Sequence, residues 1–246
     1  NFMNMIDKVM KSNRKNDPLS LSFITFNYDL CMDYTLHKFG YPYDYCLNGE
    51  IENNKIPLLK LHGSINWGYS DSEAIEPLYF DKVKVNIDAS MKNYYWNLGS
   101  MIDGAVVDGI NGPPIIVPPT WNKESYHGQL SNVWSVAAEE LSSAENIIII
   151  GYSLPETDSF FRYLYALGSE SKTRIRHFIV INPDESGETE KRFRELIGRG
   201  IENRFSYAPF IFGPSMPIIS NVLSDPNRNI SNDIQILKDR LKQRQR

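Results

Sequence analysis

Asn146-Ile147-Ile148-Ile149-Ile150-Gly151-Tyr152-Ser153-Leu154-Pro155 is the stretch on which the fold turns. Four successive β-branched side chains favour extended backbone, and an unbroken apolar run predicts a strand buried on both faces, as in parallel sheets covered by helices. Gly151 and Pro155 then predict a turn. On the amino-terminal side, Leu130, Val133, Trp134, Ala137 and Leu141 fall on one helical face, with Glu139 and Glu140 on the other. On the carboxyl side, Thr157 or Asp158 can cap a helix running to Gly168. A second apolar strand, His177 to Ile181, ends in Asn182-Pro183-Asp184, and a helix is expected near Glu188 to Ile197.

The first half repeats this alternation. Phe2 to Lys11 has helical spacing, and Leu21 to Phe26 reads as a buried strand with Asn27 to Asp29 at its exit. Leu30 to Phe39 suits a helix stopped by Gly40. A further strand, Ile56 to Leu61, ends in His62-Gly63, and Ile115 to Val117 is a short strand closed by Pro118-Pro119. Strands alternating with helices predict an α/β class: a Rossmann-like, doubly wound, mostly parallel sheet. Residues 69–112, irregular and rich in Asp, Asn and Gly, are expected to be an insertion. The domain is expected to cover residues 1–229. Residues 230–246, with Ile230, Ile234, Leu237 and Leu241 on one face and a basic remainder, are expected to be a linker or docking helix.

Composition bounds the functional classes. With 41% hydrophobic and 23% charged residues among 246, the chain reads as an ordinary globular protein. A net charge of −4 offers no general attraction to nucleic acid. Cys31 and Cys46 are the two cysteines, without paired spacing, which argues against a zinc site or disulfide scaffold and for a reducing cytoplasm. No apolar run reaches the ~20 residues that span a bilayer.

Each strand-like run ends in polar residues: Asn27 and Asp29, His62, Ser153, and Asn182. In open α/β sheets, ligands bind beyond the carboxyl ends of the strands. Taken singly, each has a plainer explanation. Asn27 or Asp29 could cap the helix that follows; His62 could be a satisfied strand-end histidine; Ser153 and Asn182 could shape turns. Unrelated caps would scatter over both edges of a sheet, whereas these five are all expected on one edge. Trp67 and Trp121 could wall a cleft there or pack in the core, Pro118-Pro119-Thr120-Trp121 could shape a loop over it, and His127 is expected in an exposed loop.

These motifs together resemble the sirtuin-like family of NAD-consuming domains. Thr25-Phe26-Asn27-Tyr28-Asp29 resembles the family's Thr-x-Asn-x-Asp signature, and Leu61-His62-Gly63 its Leu-His-Gly motif. Gly151-Tyr152-Ser153-Leu154 is similar to its Gly-x-Ser-Leu turn, and Val180-Ile181-Asn182 to its adenosine-side Ile-Asn. Gly63-Ser64-Ile65-Asn66-Trp67 and Ile148 to Pro155 resemble a bacterial branch used in anti-phage defence. The resemblance implies NAD+ as substrate and no metal. It implies Asn27 and His62 as the catalytic residues, and Thr25, Asp29, Gly151, Ser153 and Asn182 as NAD-binding residues. In that assignment His62 is the general base, Asn27 holds the ribose and a water, Asp29 binds the nicotinamide carboxamide, and Ser153 and Asn182 meet the phosphate and adenosine ribose.

Two departures shape the expectation. Protein-deacylating relatives carry paired-cysteine zinc knuckles, which this sequence lacks, so NAD+ hydrolysis to nicotinamide and ADP-ribose is favoured. NAD or ADP-ribose sensing without turnover comes second, deacylation third. The family also opens with a strand and a Gly-Ala-Gly-x-Ser phosphate loop, and no such loop precedes Thr25. The chain is therefore expected to be a carboxy-terminal fragment missing the first strand, inactive by itself. Its expected partners are a second copy or an attached effector or sensor domain, without membrane or nucleic acid.

Overall fold

A computed structural model describes residues 2, 4–7, 21–69, 74–79, 114–117, 124–155, 161–162, 165, 175–197, 200–225 and 227–244, with residues 124–129 described in backbone only. The chain forms two compact units, residues 21–137 and residues 1–20 with 138–246.

The first unit is built on three parallel strands: β1 (Phe23–Thr25), β2 (Tyr43–Asp44) and β3 (Ile56–Lys60), in the order β1-β3-β2. Helix α1 (Cys31–Lys38) connects β1 to β2. It stops as its sequence predicts: Gly40 adopts φ +71° and donates its N–H to the His37 carbonyl, while the Tyr41 N–H reaches the Leu36 carbonyl. β3 lies in the centre and is buried at every position. β1, expected to be buried, is half-buried at all three of its residues, because among the described residues it pairs with β3 alone.

Beyond β3 the chain makes β4 (Gly63–Ser64), β5 (Trp67–Tyr69), β6 (Ile75–Pro77) and β7 (Ile115–Ile116). β4 pairs antiparallel with β7, and β5 with β6. The expected irregular insertion thus begins inside a strand and contains another; residues 80–113 lie outside the described residues, as do Pro118 to Trp121. Helix α2 (Glu124–Ser143) buries Leu130, Val133, Ala137 and Leu141, the predicted stripe, with Trp134 half-buried. His127, expected in a loop, is in this helix's backbone.

The second unit carries another parallel sheet, β8 (Asn146–Ile150), β9 (His177–Ile181) and β10 (Phe205–Ala208), in the order β10-β9-β8. Here β9 is central, with Phe178 to Ile181 all buried. The isoleucine run, read as buried on both faces, alternates instead: Ile147 and Ile149 are buried, Ile148 is half-buried and Ile150 is 39% exposed. Alternate side chains point to opposite faces of the sheet, so the face carrying Ile147 and Ile149 is the covered one and the face carrying Ile148 and Ile150 the more open one. Helix α3 (Glu188–Ile197) buries Phe193 and Ile197, and Phe193 packs at 6.3 Å against the Phe178 ring. The capping residues Thr157 and Asp158 lie outside the described residues; residues 161, 162 and 165 are helical.

β10 and helix α4 (Phe212–Ser224) went unread in the sequence, where Gly213, Pro214 and Pro217 look like breakers. Pro214 falls in the first helical turn, where no backbone donor is required. α4 packs on β8 and β9, and helix α5 (Ile230–Arg244) on α4 and β10, with Ile230 and Ile234 buried. The class is therefore α/β with all-parallel three-stranded sheets, as a Rossmann-like fold requires.

The entry to α3 is organised by Asp184. Its carboxylate accepts the Ser186 N–H and hydroxyl at 2.8 and 2.5 Å and the Thr189 N–H at 2.8 Å. The Ser186 hydroxyl foremost, then Thr189, hold Asp184 below the ordinary carboxylate range. The folded protein thus binds this proton more weakly than the unfolded chain. The stabilisation is complete above about pH 4 and is lost as pH falls through the folded value. Asp184→Asn is expected to melt below the wild type at pH 7, with the gap narrowing at pH 3; thermal melts at the two pH values check this.

Candidate active site at the carboxyl ends of β1 and β3

Parallel pairing brings the two signature stretches side by side. Thr25 is in register with Lys60, and the Leu61 N–H donates to the Thr25 carbonyl at 2.9 Å. Each strand then releases its polar residues at the same edge of one sheet: Asn27 two positions beyond Thr25, and His62 two positions beyond Lys60. The Phe26 ring meets the His62 ring edge-on, with centroids 5.2 Å apart. His62 is 8% exposed, while Asn27, Tyr28 and Asp29 are exposed.

The turn that follows explains why glycine succeeds the histidine. Gly63 adopts φ +79°, and a Cβ there would lie 2.1 Å from the Ile115 carbonyl oxygen. β4 and β7 approach so closely that only a residue without a side chain fits, and the Val117 N–H completes the pairing on the His62 carbonyl at 2.9 Å. From the helix side, the Trp134 indole N–H donates to the Leu61 carbonyl at 3.1 Å. The backbone on both sides of His62 is therefore held.

Asn27 and Asp29 play different parts. The Thr25 hydroxyl accepts the Asn27 N–H at 3.0 Å, and Asp29 Oδ1 accepts the Cys31 N–H at 2.9 Å at the start of α1. Asp29 thus turns the chain into α1, whose N-cap is Leu30 without a side-chain capping bond, and Asn27 has no such bond to its side chain among the described residues. The Asp29 carboxylate also raises the Cys31 thiol above its ordinary value, which keeps it protonated and a poor nucleophile at neutral pH.

Beneath this edge lies a polar cluster that the sequence reading missed. Lys60, 1% exposed, donates to the Asp29 carbonyl at 2.5 Å and to Asp33 Oδ2 at 3.0 Å. Asp33, fully buried, also accepts the Tyr45 hydroxyl. Asn66 Nδ2 donates to the Tyr45 oxygen and to the Leu78 carbonyl, each at 2.8 Å, and its Oδ1 accepts the Ser64 hydroxyl at 2.5 Å. Burial pushes Lys60 below the ordinary lysine value against the pull of Asp33. Burial foremost, then the Asp33 charge, raises Tyr45, so it stays a hydrogen-bond donor. Lysine within the apolar run Ile56 to Leu61 was the available signal, since this side chain is almost never buried without a partner. Trp67 is fully buried with its ring edge-on to Tyr45 at 5.1 Å, a core residue rather than a cleft wall.

The remaining expected site residues are in the second unit, at the carboxyl ends of β8 and β9. Gly151 adopts φ +73° with open space at its Cβ position, so its need for glycine is conformational; Leu154 in the same turn has φ +49°. Ser153 is half-buried. Asn182 is 6% exposed; its Oδ1 accepts the Asp184 N–H at 3.0 Å, and the Tyr207 hydroxyl bonds the Asn182 and Asp184 carbonyls at 3.2 and 2.7 Å. Asn182 therefore does shape this turn.

Polar residues released at the carboxyl ends of parallel strands lie where open α/β sheets bind their ligands. A family model described as SIR2-like domain matches residues 21–203, and the chain belongs to that family. Its function is accordingly NAD-related, and SIR2-like domains are often NAD-dependent enzymes. No curated protein sequence matches the chain. Among the described residues no cluster of His, Cys, Asp and Glu could hold a metal, and no helix is long and apolar enough to cross a membrane.

Gly63→Ala would impose both a left-handed conformation and a clash with the Ile115 carbonyl. It is expected to cost about 3 kcal/mol, read as a lower urea midpoint.

Proposed function

We propose that this domain cleaves the bond between nicotinamide and ribose in NAD+, releasing nicotinamide and ADP-ribose. The observation that carries the reading is the adjacency of His62 and the Asn27–Asp29 segment at one sheet edge, with His62 nearly buried and its backbone held on both sides. The bond breaks through a transition state of oxocarbenium character, as in glycoside hydrolysis. It needs a group that holds the leaving amide, one that orients the ribose and one that takes a proton from the nucleophile.

Asp29, with one carboxylate oxygen engaged by the Cys31 N–H, offers the other to the carboxamide. Asn27 offers a side-chain amide to the ribose and an ordered water. His62 takes the proton, the part that an imidazole fills most often in general acid–base catalysis. Thr25 shapes the strand exit by holding the Asn27 N–H. Gly151, Ser153 and Asn182 keep the phosphate and adenosine roles that the family resemblance implies. The resemblance of Gly63 to Trp67 and of Ile148 to Pro155 supports bacterial anti-phage defence as the setting. The two cysteines without paired spacing support a cytoplasmic location, and a second copy or an attached effector or sensor domain is the partner in this reading.

NAD or ADP-ribose sensing without turnover is the alternative reading. Nicotinamide release from NAD+ by the intact protein, followed chromatographically, separates the two: saturable binding with no nicotinamide would establish the sensor. In an active protein, His62→Ala is expected to lower turnover by at least about 100-fold with the fold intact by circular dichroism; full turnover would remove His62 from the mechanism. Asn27→Ala, at an exposed side chain that caps nothing, is expected to change stability by less than about 0.5 kcal/mol while turnover collapses. A stability loss with turnover retained would return Asn27 to a structural role.

A further inference from the structure

The polar cluster under the site begins and ends on neighbouring carbonyls of the proposed catalytic segment. At one end the Lys60 ammonium holds the Asp29 carbonyl; at the other the Ile65 N–H holds the Tyr28 carbonyl at 3.1 Å. Between them run Asp33, Tyr45, Asn66 and Ser64, all joined by hydrogen bonds. The Ser64 hydroxyl has a single hydrogen, and its 2.5 Å contact with Asn66 outranks the 3.4 Å approach to Tyr28. The Asp29 carbonyl thus depends on Lys60.

Stability alone does not account for such a cluster. A buried ion pair is often no better than apolar side chains of the same volume, since desolvation offsets the attraction. An apolar pair could fill the space below β1 and β3, but it could not donate to the Asp29 carbonyl. The side chains of Asn27 and Asp29 are exposed, and that of Asp29 is held by the Cys31 N–H, so the direction of both follows from the local backbone.

We propose that Lys60, paired with Asp33, is a positioning residue that fixes the Asn27–Asp29 backbone and thereby aims both side chains at the nicotinamide ribose. The proposal rests on the NAD-cleavage reading above. Lys60 touches no reacting atom; it acts through the Asp29 carbonyl.

The test replaces the pair by a neutral one, Lys60→Met with Asp33→Asn, in the intact protein. Asn at position 33 can still accept the Tyr45 hydroxyl, and no charge is left buried alone. Amide hydrogen exchange is measured over residues 26–32, together with kcat and KM for nicotinamide release from NAD+. The expected result is a folded protein whose exchange in this segment alone accelerates roughly tenfold or more. Its kcat falls at least about tenfold, and its KM changes by less than about threefold. If the methionine pair does not fold, Lys60→Gln with Asp33→Asn carries the same readouts, because the shorter amide does not span to the Asp29 carbonyl. A folded variant with unchanged kcat overturns the proposal, whatever its exchange. If the wild type releases no nicotinamide, the NAD-cleavage reading fails by itself. The exchange measurement then decides the positioning claim, and an unchanged segment overturns it.

Discussion

The ion pair of Lys60 and Asp33 is the constraint on which the first unit depends. Both side chains are out of water, one on the central strand β3 and the other on α1, and their bond ties the sheet to the helix that follows β1. Removing either partner would strand a charge in the interior, a loss of order 3–5 kcal/mol. Tyr45 on the Asp33 side and the Asp29 carbonyl on the Lys60 side share the cost of desolvation by supplying further hydrogen bonds. The loop bearing Asn27 and Asp29 is thereby held from below, while its outer face stays open to a ligand.

The same economy appears at His62. A histidine nearly removed from solvent must have its backbone fixed if its ring is to point reproducibly, and three neighbours do this: the Gly63 turn against Ile115, the Val117 N–H and the Trp134 indole. In the second unit, Asn182 is embedded in a comparable lattice of short-range bonds, where Asp184 and Tyr207 set the loop between β9 and α3. In both places the motif residues singled out by function also do conformational duty. Asp29 illustrates it best: one carboxylate oxygen accepts the Cys31 N–H at the start of α1, and the residue remains exposed.

Much of this was legible before any coordinates. Strand and helix alternation, the Gly40 stop, the helical stripe of α2 and the polar strand exits followed from periodicity and turn chemistry, which are local. What escaped was non-local. Pro214 and Pro217 obscured α4 because a breaker is harmless in a first turn and tolerated where packing on β8 and β9 compensates. The run Ile147 to Ile150 suggested a strand buried on both faces, since apolar residues report affinity for a sheet without saying which of its faces is covered. Trp67, a reasonable cleft candidate, is core because Tyr45 and the short strands enclose it.

The sequence by itself determined the α/β class, the alternation of its main strands and helices up to α3, and the residues set free at the strand ends, because all three are written in hydrophobic period and in the chemistry of glycine, proline and asparagine. Only tertiary structure decided which of those residues share an edge, that the Asp29 side chain bonds the start of α1 while that of Asn27 does not, and that a lysine inside an apolar strand meets an aspartate 27 positions away. Such pairings depend on parallel register and on burial, which exist only once distant segments have come together.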